Sequence, residues 1–128
     1  MKNNESMEMY LETIYLISKR GVKVHSIDVA TEMGYSKPSI SRAMKLLEKK
    51  EYIIFHQDGE IELTDLGLTR AKEVYEKHTI LTTFFVSLGA SKKNAEDNAC
   101  RIEHIISNEL FEIIKEKVND DSKNEKNG

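Results

Sequence analysis

The chain is expected to be mainly α-helical, with an N-terminal winged helix-turn-helix domain followed by a second helical domain. Three observations predict this. Apolar residues recur three and four apart over long stretches bounded by Ser, Thr and Gly. The first half runs helix, short helix, tight turn, helix, hairpin. The second half holds one long helical pattern and two shorter ones. With 128 residues, 39% hydrophobic and 32% charged, the composition is globular, and such a length can bury a real core. One cysteine excludes an internal disulfide framework and fits a reducing compartment. Apolar runs are only a few residues long and Met1-Lys-Asn-Asn leads into no apolar stretch, so a cytoplasmic location with no membrane contact is expected.

Taken in order, Ser6 is expected to cap a first helix whose apolar positions are Met7, Tyr10, Leu11, Ile14, Tyr15 and Leu16. Gly21 ends it, and Val22-Lys-Val24 forms an extended link. Ser26 is expected to cap a second helix, Ile27 to Met33, stopped by Gly34. Ser36 caps a third, which tolerates Pro38 because first-turn amides lack intrahelical partners; Ile40, Met44 and Leu47 mark its buried face. Tyr52–Phe55 and Glu60–Leu63, joined through Gln57-Asp-Gly59, predict a hairpin. Thr64 caps a long fourth helix ending near Leu88-Gly89. Ser91 caps a fifth, to about Ile106, and Ser107 a sixth. The expected domains are 1–70 and 71–118, with 119–128 a disordered tail because it lacks apolar residues.

In a winged helix-turn-helix the helix after the turn enters the major groove, its early residues facing base edges. Here those are Lys37, Pro38, Ser39, Ser41 and Arg42, with Ser36 as cap and Lys45 facing phosphate or solvent. Net charge is −3, but DNA feels the local field. From Ser36 to Lys50, Lys37, Arg42, Lys45, Lys49 and Lys50 stand against Glu48 alone. The hairpin lies where a phosphate clamp belongs. A helical hairpin with a solvated lysine face is the bland alternative.

Cys100, Glu103 and His104 fall three and four residues apart, which puts all three side chains on one helical face. A thiolate, a carboxylate and an imidazole make a plausible shell for a divalent transition metal. Read without other context, a lone Cys is equally a small buried hydrophobe and a Glu-His pair a solvated face. Met9 and Glu12 share a face of the first helix and can add donors. Glu96 extends the acidic ridge of the fifth helix, and His78 reads by itself as a satisfied histidine.

These residues resemble a family. Ser6-Met-Glu-Met-Tyr-Leu-Glu-Thr-Ile-Tyr15, Ser36-Lys-Pro-Ser-Ile-Ser41, Leu63-Thr-Asp-Leu-Gly67, Lys77-His78 and Ala99-Cys-Arg-Ile-Glu-His104-Ile-Ile-Ser107 are similar, in order, to the signatures of the DtxR/MntR metalloregulators, over about residues 6 to 115. The resemblance implies a cytoplasmic homodimer that binds palindromic double-stranded operator DNA and represses transcription when Fe(II) or Mn(II) is plentiful. It implies a helical dimerisation and metal-binding second domain. The iron branch's primary ligands fall on Met9, Cys100, Glu103 and His104, and its ancillary ones on His78, Thr82 and Glu96. Thr82 replaces a carboxylate there, and Glu96 an imidazole. Glu12 matches the manganese branch, where it helps hold a two-metal site. The length corresponds to a short form without an SH3-like domain.

Ile102, Ile106, Leu110, Phe111 and Ile114, with Ile105, exceed what one small helical pair can hide, and are the expected dimerisation residues. An enzyme is disfavoured because no ordered general-base constellation accompanies Cys100 and His104. A zinc-responsive regulator, or a winged-helix repressor sensing something other than metal, are the alternative readings.

Overall fold

The computed structural model describes residues 2–127, and side chains from Ser6 to Lys123. The chain divides into two compact units, with the boundary between Glu73 and Val74.

The first unit contains α1 (Lys2–Ser18), α2 (Ser26–Met33), α3 (Lys37–Lys49), β1 (Ile53–Phe55), β2 (Ile61–Leu63) and the opening turns of α4 (Asp65–Ser87). Its core is wholly apolar. Leu11, Ile14 and Ile17 of α1 pack with Val29 and Ala30 of α2, with Ile40, Met44 and Leu47 of α3, and with Ile53, Ile61 and Ala71. α2 ends where Gly34 turns left-handed (φ 72°), its N–H donating to the Ala30 carbonyl. α3 starts three residues later, at Lys37. Ser36 Oγ accepts from the Ser39 N–H at 3.3 Å, and Pro38 costs nothing in the first turn. β1 and β2 pair antiparallel, Ile53 opposite Leu63 and Phe55 opposite Ile61. Val24 bridges to Ile61, so the extended link adds a third short edge to the wing.

The wing's base is tied down by Tyr52. Its N–H donates to the Leu47 carbonyl at 3.0 Å, and its own carbonyl accepts from the Thr64 N–H at 3.0 Å. Thr64 Oγ1 donates to the Glu51 carbonyl at 2.7 Å and accepts the Gly67 N–H at 3.1 Å, so the cap of α4 is also a clasp on the end of α3. Gly67 is required there: a Cβ would lie 2.0 Å from the Tyr52 carbonyl oxygen.

The second unit contains the rest of α4, then α5 (Lys92–Ile102) and α6 (Asn108–Asn127). Ser91 and Ser107 cap the last two, accepting from Asn94 N–H at 3.3 Å and Leu110 N–H at 3.2 Å. Val74, Leu81, Ala95, Ala99 and Phe111 are buried, together with one charged residue, Glu103.

Four expected boundaries differ. α1 begins at Lys2, so Ser6 lies inside it rather than at its cap. α2 begins at Ser26, with His25 before it donating its N–H to Asp28 Oδ2 at 2.8 Å; the acidic third residue closes the end that Ser26 was expected to close. α5 stops at Ile102, where Glu103 caps it and a turn through Ile105 leads to α6. α6 runs to Asn127 through the stretch expected to be disordered. Lys117 and Asp121, 3.8 Å apart at i and i+4, are the kind of spaced opposite charges that support a helix without apolar contacts; Gly128 lies outside the described residues.

Candidate metal centre and nucleic-acid surface

Within the first unit, α3 presents two faces. Ile40, Met44 and Leu47 are fully buried. Ser36, Lys37, Pro38, Ser41, Arg42 and Lys45 are exposed on the other side, and Ser39 is half-buried because it closes the cap with Ser36. The amphipathic period thus leaves a small, hydroxyl- and cation-bearing strip at the helix start, which is the composition that reads base edges and phosphates. The wing beside it is less basic than a phosphate clamp. Asp58, Glu60 and Glu62 lie on it, against Lys23, 3.6 Å from Asp58, and His56, whose Nε2 is 2.6 Å from Glu62 Oε1. The Glu62 hydrogen bond holds the His56 pKa above its usual 6.5, with the charges of Glu62, Glu60 and Asp58 adding to it.

Within the second unit, the polar centre is Glu103. It is 0% exposed. Its Oε2 takes His78 Nδ1 from α4 at 2.9 Å, and its Oε1 lies 3.3 Å from His104 Nε2. The helix end explains the arrangement: with α5 finished at Ile102, Glu103 turns inward as its cap and His104 follows in the turn. A buried carboxylate is costly unless opposite charge or donors surround it. Two imidazoles whose nitrogens meet one carboxylate are also a ready N,O donor set for a divalent transition ion. One turn beyond His78, Thr82 Oγ1 is buried and has no hydrogen-bond partner among the described residues. Cys100 and Glu96 are exposed on α5. Met9 and Glu12 are half-buried on α1, in the other unit.

Comparison with known proteins joins the two halves. Residues 3–61 match the iron dependent repressor N-terminal DNA binding domain, and residues 64–127 match the iron dependent repressor metal binding and dimerisation domain. The chain belongs to the DtxR/MntR family of iron-dependent repressors. That family consists of transcriptional repressors, not enzymes. Among its relatives, an uncharacterised helix-turn-helix regulator of Methanocaldococcus jannaschii is 31% identical over 88% of this chain and 91% of its own length. The diphtheria toxin repressor of Corynebacterium diphtheriae is 30% identical over 88% of this chain and 52% of its own, so the chain spans about half of that relative. A solved manganese-dependent transcriptional repressor complexed with manganese superimposes with a TM-score of 0.81 at 28% identity, over 88% of this chain and 52% of that one.

Against this family pattern, the sequence placed His78 and Glu103 in different sites, whereas the structure hydrogen-bonds them. It also placed Cys100, Glu103 and His104 on one face of a continuing helix. In the structure Glu103 and His104 lie beyond the helix end, Glu103 inward and Cys100 exposed. Of the expected dimerisation residues, Phe111 is 4% exposed within its own chain, where Lys77 lies over its ring. Little of its surface is left to bury against a partner. Ile102, Ile106 and Ile114 are half-buried and Leu110 is exposed, joined by Ile105 and by Ile113, which the expected set lacked.

Proposed function

We propose that this chain is a metal-dependent transcriptional repressor that binds operator DNA as a homodimer in the cytoplasm, with Fe(II) or Mn(II) as its effector. Among the described residues no helix is long and apolar enough to cross a membrane. The observation that carries the metal half of the reading is Glu103, a fully buried carboxylate contacted by two imidazoles. The donor chemistry fits the family's ions. Glu103, His78 and His104 would hold the ion, and the resemblance adds Met9, Glu12, Cys100 and Glu96 as further ligands. Bound there, a divalent cation supplies a positive charge that offsets the buried carboxylate.

The chain's own residues do the rest. Glu103 presents two oxygens from the end of α5, one hydrogen-bonded to His78 Nδ1 and the other 3.3 Å from His104 Nε2. Arg42 and Lys37 present donors to base edges, where a good bidentate contact discriminates by about 1–3 kcal/mol. Lys45 and the cap of α3 meet phosphate, so affinity falls steeply with salt. If ligands come from α1 as well as from α4 and α5, as the resemblance implies, metal loading restricts the DNA-reading units to fewer arrangements. Two such units must sit roughly 34 Å apart to read half-sites one turn apart. Affinity for DNA is reduced by the fraction of incompetent arrangements, so metal and operator are reciprocally coupled, typically by about 1–3 kcal/mol.

The test is an anaerobic binding titration on a duplex selected from a random pool by the Mn(II)-loaded protein, with Fe(II), Mn(II) and Zn(II) compared. Tight binding only with metal is expected, and Glu103→Ala should bind equally with and without it. Metal-independent binding by the wild type, or a metal response retained in Glu103→Ala, overturns the reading. A monomer by sedimentation at micromolar concentration overturns the dimer.

A further inference from the structure

We infer that Arg70 is a positioning residue that links the metal-bearing stretch of α1 to the base of the DNA-reading wing, and that it acts through Tyr52. This rests on the metal-dependent reading above. All the groups involved lie in the first unit. Arg70 Nη1 donates to the Tyr52 hydroxyl, its guanidinium carbon sits 5.3 Å from the Tyr52 ring centroid, and Nη2 lies 3.4 Å from Glu8 Oε2. One planar fork therefore grips two elements at once, a geometry that lysine cannot reproduce. The pair is only partly exposed, with side-chain exposures of 26% and 20% for Arg70 and Glu8, so solvent screens it less than a surface bridge.

The two ends of the link are informative. Glu8 immediately precedes Met9 and lies one turn before Glu12, the α1 residues expected to reach an ion. Tyr52 is where three elements meet. Its N–H closes the end of α3 on Leu47, its carbonyl receives Thr64, and β1 begins at the next residue. A shift of α1 when its ligands engage an ion would be carried by the guanidinium to the Tyr52 ring, and so to the end of α3 and the root of the wing. A structural staple with no role in signalling would strengthen DNA binding equally in both metal states. A transmitting contact changes the ratio between them.

Tyr52→Phe separates these outcomes, because it deletes only the hydroxyl and leaves the ring beneath the guanidinium. Operator affinity is measured with and without saturating Mn(II), alongside Mn(II) affinity and melting temperature for the DNA-free protein. The expected result is a metal-to-apo affinity ratio reduced at least about fivefold, the lower end of ordinary allosteric coupling, with Mn(II) affinity in the absence of DNA unchanged. Glu8→Gln should reduce the ratio in the same direction. An unchanged ratio in a folded Tyr52→Phe protein overturns the inference, including the case where both affinities fall together. If the wild type itself shows no metal response, the functional reading has failed, and the inference fails with it.

Discussion

The two units of this protein are stabilised by different means. The first buries an unbroken set of aliphatic side chains from α1, α2, α3 and the wing, with no charged group among them. The second buries Glu103 between two imidazoles at the end of a helix. Apolar burial is non-directional and needs nothing from outside. A buried carboxylate is stable only to the extent that its surroundings answer its charge. The first unit therefore buries no group that calls for a counter-charge, while on the proposed function the second would gain stability from a bound cation. That division is what a sensor needs, because a ligand shifts an equilibrium only by its differential affinity for the two states.

The largest expected effect is a break in the first unit that no ion can mend. In an ordinary helix interior Gly→Ala stabilises by about 1 kcal/mol. At Gly67 the sign reverses, because the added Cβ would meet the Tyr52 carbonyl oxygen at 2.0 Å, and neither backbone can move without opening the Thr64 clasp. Gly67→Ala is expected to destabilise by about 3 kcal/mol, read by urea unfolding, with the same loss in saturating Mn(II) and in chelator. A stabilised variant, or a loss that Mn(II) restores, would show that the wing base is not the rigid part of the molecule.

The next effect sharpens the contrast from the other side. Glu103→Gln keeps the shape of the side chain and removes its charge. Metal-free stability should change little, because the substitution also removes a buried charge. What disappears is the ion's contribution: at an ion concentration a hundredfold above the dissociation constant, the wild type gains about 2.7 kcal/mol and the variant nothing. Thermal melts with and without Mn(II) measure this directly. Equal metal stabilisation in both proteins would place the ion elsewhere.

Why one unit was more legible in the sequence follows from the same physics. The first unit's elements are set by local rules. Ser36 and Thr64 occupy cap positions that their side chains satisfy, and Ile40, Met44 and Leu47 recur with the helical period that buries them. The hairpin forms where Asp58-Gly59 allows a left-handed residue, with Gly59 at φ 87°. The second unit's decisive feature is not local. That His78 meets Glu103, twenty-five residues on, follows only from how α4 and α5 pack. Continuing α5 past Ile102 kept Cys100, Glu103 and His104 on one face; the turn after Ile102 separates an inward Glu103 from an exposed Cys100. Residues 119–128 were read as a disordered tail because absence of apolar residues argues against a core; the described residues continue α6 to Asn127, where spaced opposite charges favour helix. Phe111 was placed among the dimerisation residues, and it is 4% exposed within its own chain, because periodicity does not tell a neighbour within the chain from one outside it.

The smallest expected effect lies on the wing, at His56. His56 is held above its ordinary pKa of 6.5, chiefly by the hydrogen bond to Glu62. The raised folded-state value means the protonated ring is favoured by folding. The pair's contribution is fully present below about 6.5, the unfolded value, and is lost as pH rises through the higher folded value. Because the pair is solvent-exposed, the effect on stability is slight, and the sensitive measurement is NMR titration of the ring. In Glu62→Gln the His56 titration should fall back toward 6.5, and the shallow decline in stability above that pH should flatten. Operator affinity should also rise in Glu62→Gln, since the wing then presents one less negative charge to phosphate while Lys23 and Asp58 remain paired. A His56 titration that does not move on loss of Glu62 would mean that Glu60 and Asp58 set its charge instead, and that the wing's tip, rather than the Glu62 edge, governs how this hairpin meets DNA.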